Sequence, residues 1–252
     1  MSSRETGRQP KYQRIAAELR AAVEAGRYGP GDRLPGENDL MAEHGVARMT
    51  ARQALGVLQA EGVAEARKGA GVFVRDFRPI RRRGIERLAR TQWSEGRSIW
   101  SADIGDRELV VDSVEVTEEP APAAVAAVMG LGEDASVCVR RRRFVLDGKP
   151  VLLSTSRLPA GIVAGTRITQ PETGPGGTYA RLAELGHGPA RFREEVRSRM
   201  PSREEAERLA LPAGVPVVLI ARTAYDAEGL VVEVNEMVLD SSVYVLEYDF
   251  EV

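Results

Sequence analysis

At ~100–200 residues per domain, a chain of 252 residues holds one large domain or two modest ones. With 43% hydrophobic and 29% charged residues it has a globular composition, which excludes a disordered chain. No apolar run approaches the ~18 residues of a membrane span, and the polar opening MSSRETGRQPKYQ lacks the apolar stretch of a secretory signal. The single cysteine, Cys138, excludes an internal disulfide framework and a cysteine-built zinc site, so a cytoplasmic protein is expected. The net charge of −2 hides an asymmetry. Residues 1–97 carry 19 Lys/Arg against 12 Asp/Glu, and the remainder 16 against 25, so the front of the chain suits a polyanion.

Ile15, Leu19 and Val23 recur every four residues, with Ala16 and Ala22 beside them, and predict a helix stopped by Gly26 and Gly29-Pro30-Gly31. A second short helix is predicted over 37–43, with Leu40 and Met41 inward and a turn at His44-Gly45. A third, over 47–60, buries Ala51, Ala54, Leu55 and Leu58 and ends at Gly62. Two short strands, 63–67 and 71–74, flank Lys68-Gly69-Ala70 as a tight hairpin. Three helices and a hairpin make a winged helix-turn-helix, assigned to 8–75. The basic stretch 76–104 reads as a linker leading into a short helix, with a solvated charged loop as the alternative.

From 105 to 252, alternating and helical segments mix as in an α+β domain. Strands 137–146 and 149–156 meet at Asp147-Gly148, a strong hairpin signal. Strands 217–225 and 230–239 form a second pair. Residues 202–209 form a helix with a capping box between Ser202 and Glu205.

The run from Tyr12 to Val74 resembles the DNA-binding domain of the GntR family of bacterial transcription regulators. The likeness rests on Pro30-Gly31, Leu34-Pro35, Glu37, Leu40, Gly45-Val46, Arg48, Thr50, Arg52, Ala54-Leu55, Gly62 and Gly69-x-Gly71-x-Phe73-Val74. Residues 105–252 resemble the UTRA effector-binding domain of the HutC subfamily, through VCVRRRRFVLDGKPVLLSTSRLPAGI, the segment from Glu194 to Leu239, and YVLEYDFEV. This second resemblance implies a chorismate-lyase-like antiparallel sheet with helices.

The resemblance makes the third helix the recognition helix. Arg48 and Arg52, four apart, share its outer face, where Arg can pair bidentately with guanine. Thr50 suits a phosphate oxygen, Lys68 in the wing reaches a phosphate, and Gly69 lets the backbone approach the minor groove. The sequence departs from the family pattern in three places. Gly36 and Ala47 stand where Ser caps are usual, and Asn38 stands where many members have a DNA-contacting Arg; Asn38 is kept as a contact able to pair with adenine.

In the second domain, Arg140–Arg143 alternate on a strand, so two arginines face each side. Arg140 and Arg142 are assigned to an effector pocket, the opposite parity being Arg141 and Arg143. Ser154, Ser156, Glu195, Arg222, Tyr225 and Glu233 complete the candidate set, with backbone bonds or intra-sheet ion pairs as their alternative roles. No Ser/His/Asp order, HxxxH pair or dinucleotide loop supports catalysis, a metal or a cofactor. The expectation is a homodimeric repressor on a pseudo-palindromic operator, controlled by a small anionic effector. Two rivals stand beside it: a ligandless plasmid-transfer-type repressor, and an enzyme with an attached DNA-binding domain.

Overall fold

The computed structural model describes residues 10–67, 69–75, 79–84, 86–96, 99–100, 103–104, 107–212 and 214–249. The chain divides into two compact units, one built from the chain up to Arg78 with 213–215, the other from the rest.

In the first unit, α1 (Lys11–Glu24), α2 (Glu37–His44) and α3 (Arg48–Ala60) precede a hairpin of β1 (Ala64–Arg67) and β2 (Gly71–Val74). The apolar spacing of each helix becomes its buried face: Ile15, Ala16 and Leu19 from α1, Leu40 from α2, and Ala51, Ala54, Leu55 and Leu58 from α3 close one core with Leu34 and Val74. α2 ends because Gly45 adopts φ +59°, a left-handed cap that costs glycine little. This turn delivers the N-terminus of α3 to the surface.

The second unit contains β3 (Ile80–Arg83), α4 (Arg90–Ser94), β4 (Leu109–Pro120), α5 (Ala123–Met129), β5 (Ser136–Leu146) and β6 (Lys149–Pro159). It continues with α6 (Ala160–Val163), α7 (Gly177–Glu184), β7 (Arg191–Arg199), α8 (Arg203–Arg208), β8 (Val217–Tyr225), β9 (Val231–Asp240) and β10 (Tyr244–Glu247). Six strands form an antiparallel sheet in the order β4-β5-β6-β9-β8-β7. Asp147 and Gly148 both take positive φ in the β5–β6 turn, as a twist-matched two-residue hairpin requires. α8 carries the expected capping box, Ser202 accepting from the Glu205 N–H and Glu205 from the Ser202 N–H.

Strand alternation sorts the sheet into two faces. Phe144, Leu152, Ile220 and Met237 pack on one face beneath Ile80 and Trp100, and beside them Trp93, Val163, Ile168, Tyr179 and Leu182 cover Cys138, Leu158 and Ala224. The other face is covered at one end by Val125 and Met129 of α5 and at the other around Leu209, which follows α8.

The stretch read as a linker over 76–104 belongs, from Pro79 onward, to the second unit. β3 pairs in parallel with β10, and Ile80, Trp93 and Ile99 are core residues. In the sequence, consecutive arginines look like a solvated run. On β3 they alternate instead: Arg81 and Arg83 pair with the half-buried Glu247, whereas Arg82 is buried against Glu194. Ile85, part of the helix spacing expected there, lies outside the described residues.

Candidate functional site

Arg48 and Arg52 project from the first turns of α3 into solvent, each about three-fifths exposed. Arg52 donates through Nε and Nη2 to the two Glu37 carboxylate oxygens, at 2.7 and 3.2 Å. Arg48 donates from Nη2 to Asn38 Oδ1 at 3.1 Å, with Glu37 3.7 Å from its Nε. The Arg52 hydrogen bond is the main cause holding the Glu37 carboxyl below its ordinary range. Thr50 sits half-buried in the same turn. The N-cap residues Gly36 and Ala47 supply no side-chain acceptor, although Asp39 reaches back to the Gly36 N–H at 2.9 Å. Gly69 lies at the hairpin tip with φ +74° and nothing within 4 Å of where a Cβ would stand. Lys68 lies outside the described residues. Sequence reading missed the role of Glu37, which was used only as a family mark; its signal is an acid beside two arginines on a surface expected to meet phosphates.

In the second unit, a cleft of about 670 Å³ is lined by Arg140, Arg142, Arg222, Glu233, Tyr179 and Trp100, among others. The Arg140 guanidinium is spent on the carbonyls of Ile168, Gln170 and Pro171, and so pins the loop that walls the cleft. Arg142 rests on Ser156 Oγ at 2.7 Å and lies 5.5 Å from the Trp100 ring centroid. Burial pulls its pKa down to about 10. Arg222 is only 1% exposed, stands 4.0 Å from both Glu194 and Glu233, and has no hydrogen-bond partner at Nε or Nη1. Tyr179 donates its hydroxyl to Glu233 at 2.6 Å, and burial is the largest cause raising its pKa well above the ordinary value. Arg141 and Arg143 occupy the other face, paired with Glu119 and Asp112.

Four candidates take other places. Ser154 and Ser156 are fully buried behind Arg142, orienting its guanidinium and meeting Asn235, and do not line the cleft. Glu195 points to solvent and pairs with Arg193; on an alternating strand it is Glu194 that turns inward, to Arg82. Tyr225 lies on the opposite face, packed near Val231 and Val234 with Arg191 3.6 Å over its ring. Arg82 and Arg87 were missed because both lie in the stretch read as a linker. Arg87 is buried beside Asp103 and 5.2 Å from the Trp100 ring centroid.

A larger cavity of about 1230 Å³ is lined by Leu88, Trp93, Phe192, Glu194, Val196 and Tyr248, among others, and is mostly apolar. Among the described residues no cluster of His, Cys, Asp and Glu could hold a metal ion, and no helix is long and apolar enough to cross a membrane.

A winged helix-turn-helix followed by a sheet domain with an arginine-lined cleft defines a DNA-binding regulator with an effector-type module. The UTRA domain model matches residues 106–244, and the model of the gntR family of bacterial regulatory proteins matches residues 11–74. The chain is 34% identical, over 96% of its length and 93% of the relative's, to the HTH-type transcriptional regulator SCO4628 of Streptomyces coelicolor. It is 29% identical to the HTH-type transcriptional repressor PhnF of Mycolicibacterium smegmatis, over 88% of this chain and 85% of that one. The PhnF crystal structure matches with a TM-score of 0.56 at 25% identity, covering 94% of this chain and 99% of that one. A crystal structure of another GntR-family transcriptional regulator matches with a TM-score of 0.62 at 28% identity, covering 97% and 98%. The protein therefore belongs to the gntR family of transcriptional regulators, in the branch that carries a UTRA domain.

Proposed function

We propose that this regulator is a repressor that binds a pseudo-palindromic operator as a homodimer and is released by a small anionic effector in the arginine-lined cleft. In this reading Arg48 and Arg52 read base edges, Thr50 and the N-terminus of α3 meet phosphate, and the wing tip at Gly69 approaches the minor groove. The PhnF relative, named as a repressor, supports the direction of control. Dimer formation is supported by β4, the edge strand of the six-stranded sheet, where a second chain can pair and where Val110 is exposed.

The observation that carries the effector reading is Arg222, a buried guanidinium with unsatisfied donors beside Arg142 in the cleft. Buried donors left unpaired cost about 1–3 kcal/mol, more when charged, and an anion in the cleft removes that cost. Arg222 shares Glu194 with Arg82 of β3, so charge entering the cleft acts on the first strand after the DNA-binding unit.

The test is a thermal-shift screen with phosphorylated sugars, carboxylates and their neutral counterparts. Only anionic compounds should raise the melting temperature, and a hit should release operator DNA. Arg142→Ala and Arg222→Ala should lose the shift while keeping DNA binding, and Arg141→Ala should keep both. A neutral ligand whose shift survives both cleft variants would refute the reading.

A further inference from the structure

Glu37 and Asn38 stand at the N-terminus of α2, yet their side chains serve α3. We infer that this pair is a positioning device for the two base-reading arginines, and that Asn38 works as an acceptor for Arg48. The inference rests on the reading of Arg48 and Arg52 as base contacts.

The geometry uses the fixed shape of the guanidinium. Its five N–H groups form a side edge, Nε with one terminal nitrogen, and an end edge of the two terminal nitrogens. Glu37 takes the side edge of Arg52, through Nε at 2.7 Å and Nη2 at 3.2 Å. Arg48 likewise turns its Nε–Nη2 side to α2, with Nη2 on Asn38 and Nε facing Glu37. These contacts do not use Nη1 of either arginine, so the end edges are not engaged by them, and both side chains are about three-fifths exposed. The end edge is the fork that matches guanine O6 and N7.

Stability does not explain the arrangement. All four side chains are on the surface, and exposed ion pairs contribute ~0–1 kcal/mol. An acid on a surface that meets phosphates also weakens nonspecific binding by repulsion. What the pair supplies is order: a free arginine must give up most of its rotamer freedom when it docks on a base, and one already held gives up less. The carboxylate therefore trades general affinity for discrimination. Asn38 gives Arg48 an acceptor without adding a second negative charge.

The test first selects a duplex from a randomised pool with the wild-type chain. Affinities are then measured for that duplex and for a scrambled duplex of equal length, over a range of salt concentrations. Glu37→Gln should lower the ratio of specific to nonspecific affinity about tenfold, while binding to the scrambled duplex becomes stronger and steeper in salt. Asn38→Ala should lower the ratio by a few-fold with no change in salt slope, because no charge is removed. The melting temperature should stay at the wild-type value in both. An unchanged ratio in Glu37→Gln, with both duplexes bound more tightly, would leave Glu37 as a simple counter-charge and overturn the inference. So would a lower ratio accompanied by a lower melting temperature in both variants, which marks a structural role. Arg52→Ala separates the two layers: equal losses on both duplexes would overturn the base-reading role itself, and the positioning with it.

Discussion

Removing the Glu194 carboxylate, as in Glu194→Ala, tests whether the buried arginines are held as the structure implies. Arg82 is 1% exposed and gives two hydrogen bonds to Glu194, whose side chain is 10% exposed. Arg222, also 1% exposed, loses the same counter-charge at 4.0 Å. Breaking a buried pair by deleting one partner costs about 3–5 kcal/mol, because the remaining charge stays out of water. In a domain of this size that is a fall in melting temperature on the order of 10 °C. Both tryptophans, Trp93 and Trp100, lie in the second unit, so urea titration followed by tryptophan fluorescence reads its unfolding alone. The double variant Arg82→Met with Glu194→Leu should recover most of the loss, since an apolar pair of similar volume avoids the buried charge. Acid should erase the difference between wild type and Glu194→Gln. Burial pushes the Glu194 pKa up, but the Arg82 hydrogen bond and the Arg82 and Arg222 charges outweigh it, and the net shift is downward. An acid with a lowered pKa contributes stability above its ordinary range and loses it as pH falls through the folded value. A cost below about 1 kcal/mol for Glu194→Ala, or a double variant no better than the single one, would refute the reasoning.

Gly69→Val should destabilise the wing as well as weaken DNA binding, by about 1–2 kcal/mol at φ +74°, while Gly69→Asn keeps the melting temperature of the first unit by circular dichroism. Gly176→Ala should cost more than about 2 kcal/mol in the fluorescence titration, because a Cβ there would stand 2.5 Å from the Trp93 carbonyl oxygen and from Ala180. Glu119→Gln should matter little at any pH, since its partner Arg141 is on the surface. Any difference should be present at neutral pH and vanish toward pH 2, because hydrogen bonding from Arg141 lowers the Glu119 pKa to about 2.

The first unit was nearly all legible, because its helices announce themselves by apolar spacing and its turns by glycine. The predicted third helix, 47–60, became Arg48–Ala60, and the hairpin strands moved by no more than one residue. In the second unit local signals were equally good: Asp147-Gly148 and the Ser202 capping box both stand where the residues put them. What the sequence hid is non-local. A buried arginine looks like an exposed one until its partner is placed, and Arg82 meets Glu194 from 112 residues away. Alternation placed Arg140 and Arg142 on one face, but nothing local says that Arg140 would be spent on the Ile168–Pro171 carbonyls. On β7 nothing local distinguishes the adjacent glutamates; only the packing shows that Glu194 turns inward to Arg82 while Glu195 meets solvent and Arg193.

The parallel pairing of β3 with β10 joins residues as far apart as Arg83 and Glu247, 164 positions along the chain. On a ribosome adding ~5–20 residues per second, β10 emerges about 10–30 s after β3. The winged unit has all of its helices and its hairpin long before that. Each newly made molecule thus passes through an interval in which the helices and hairpin of its first unit are made while β3 of the second still waits for the strand that pairs with it.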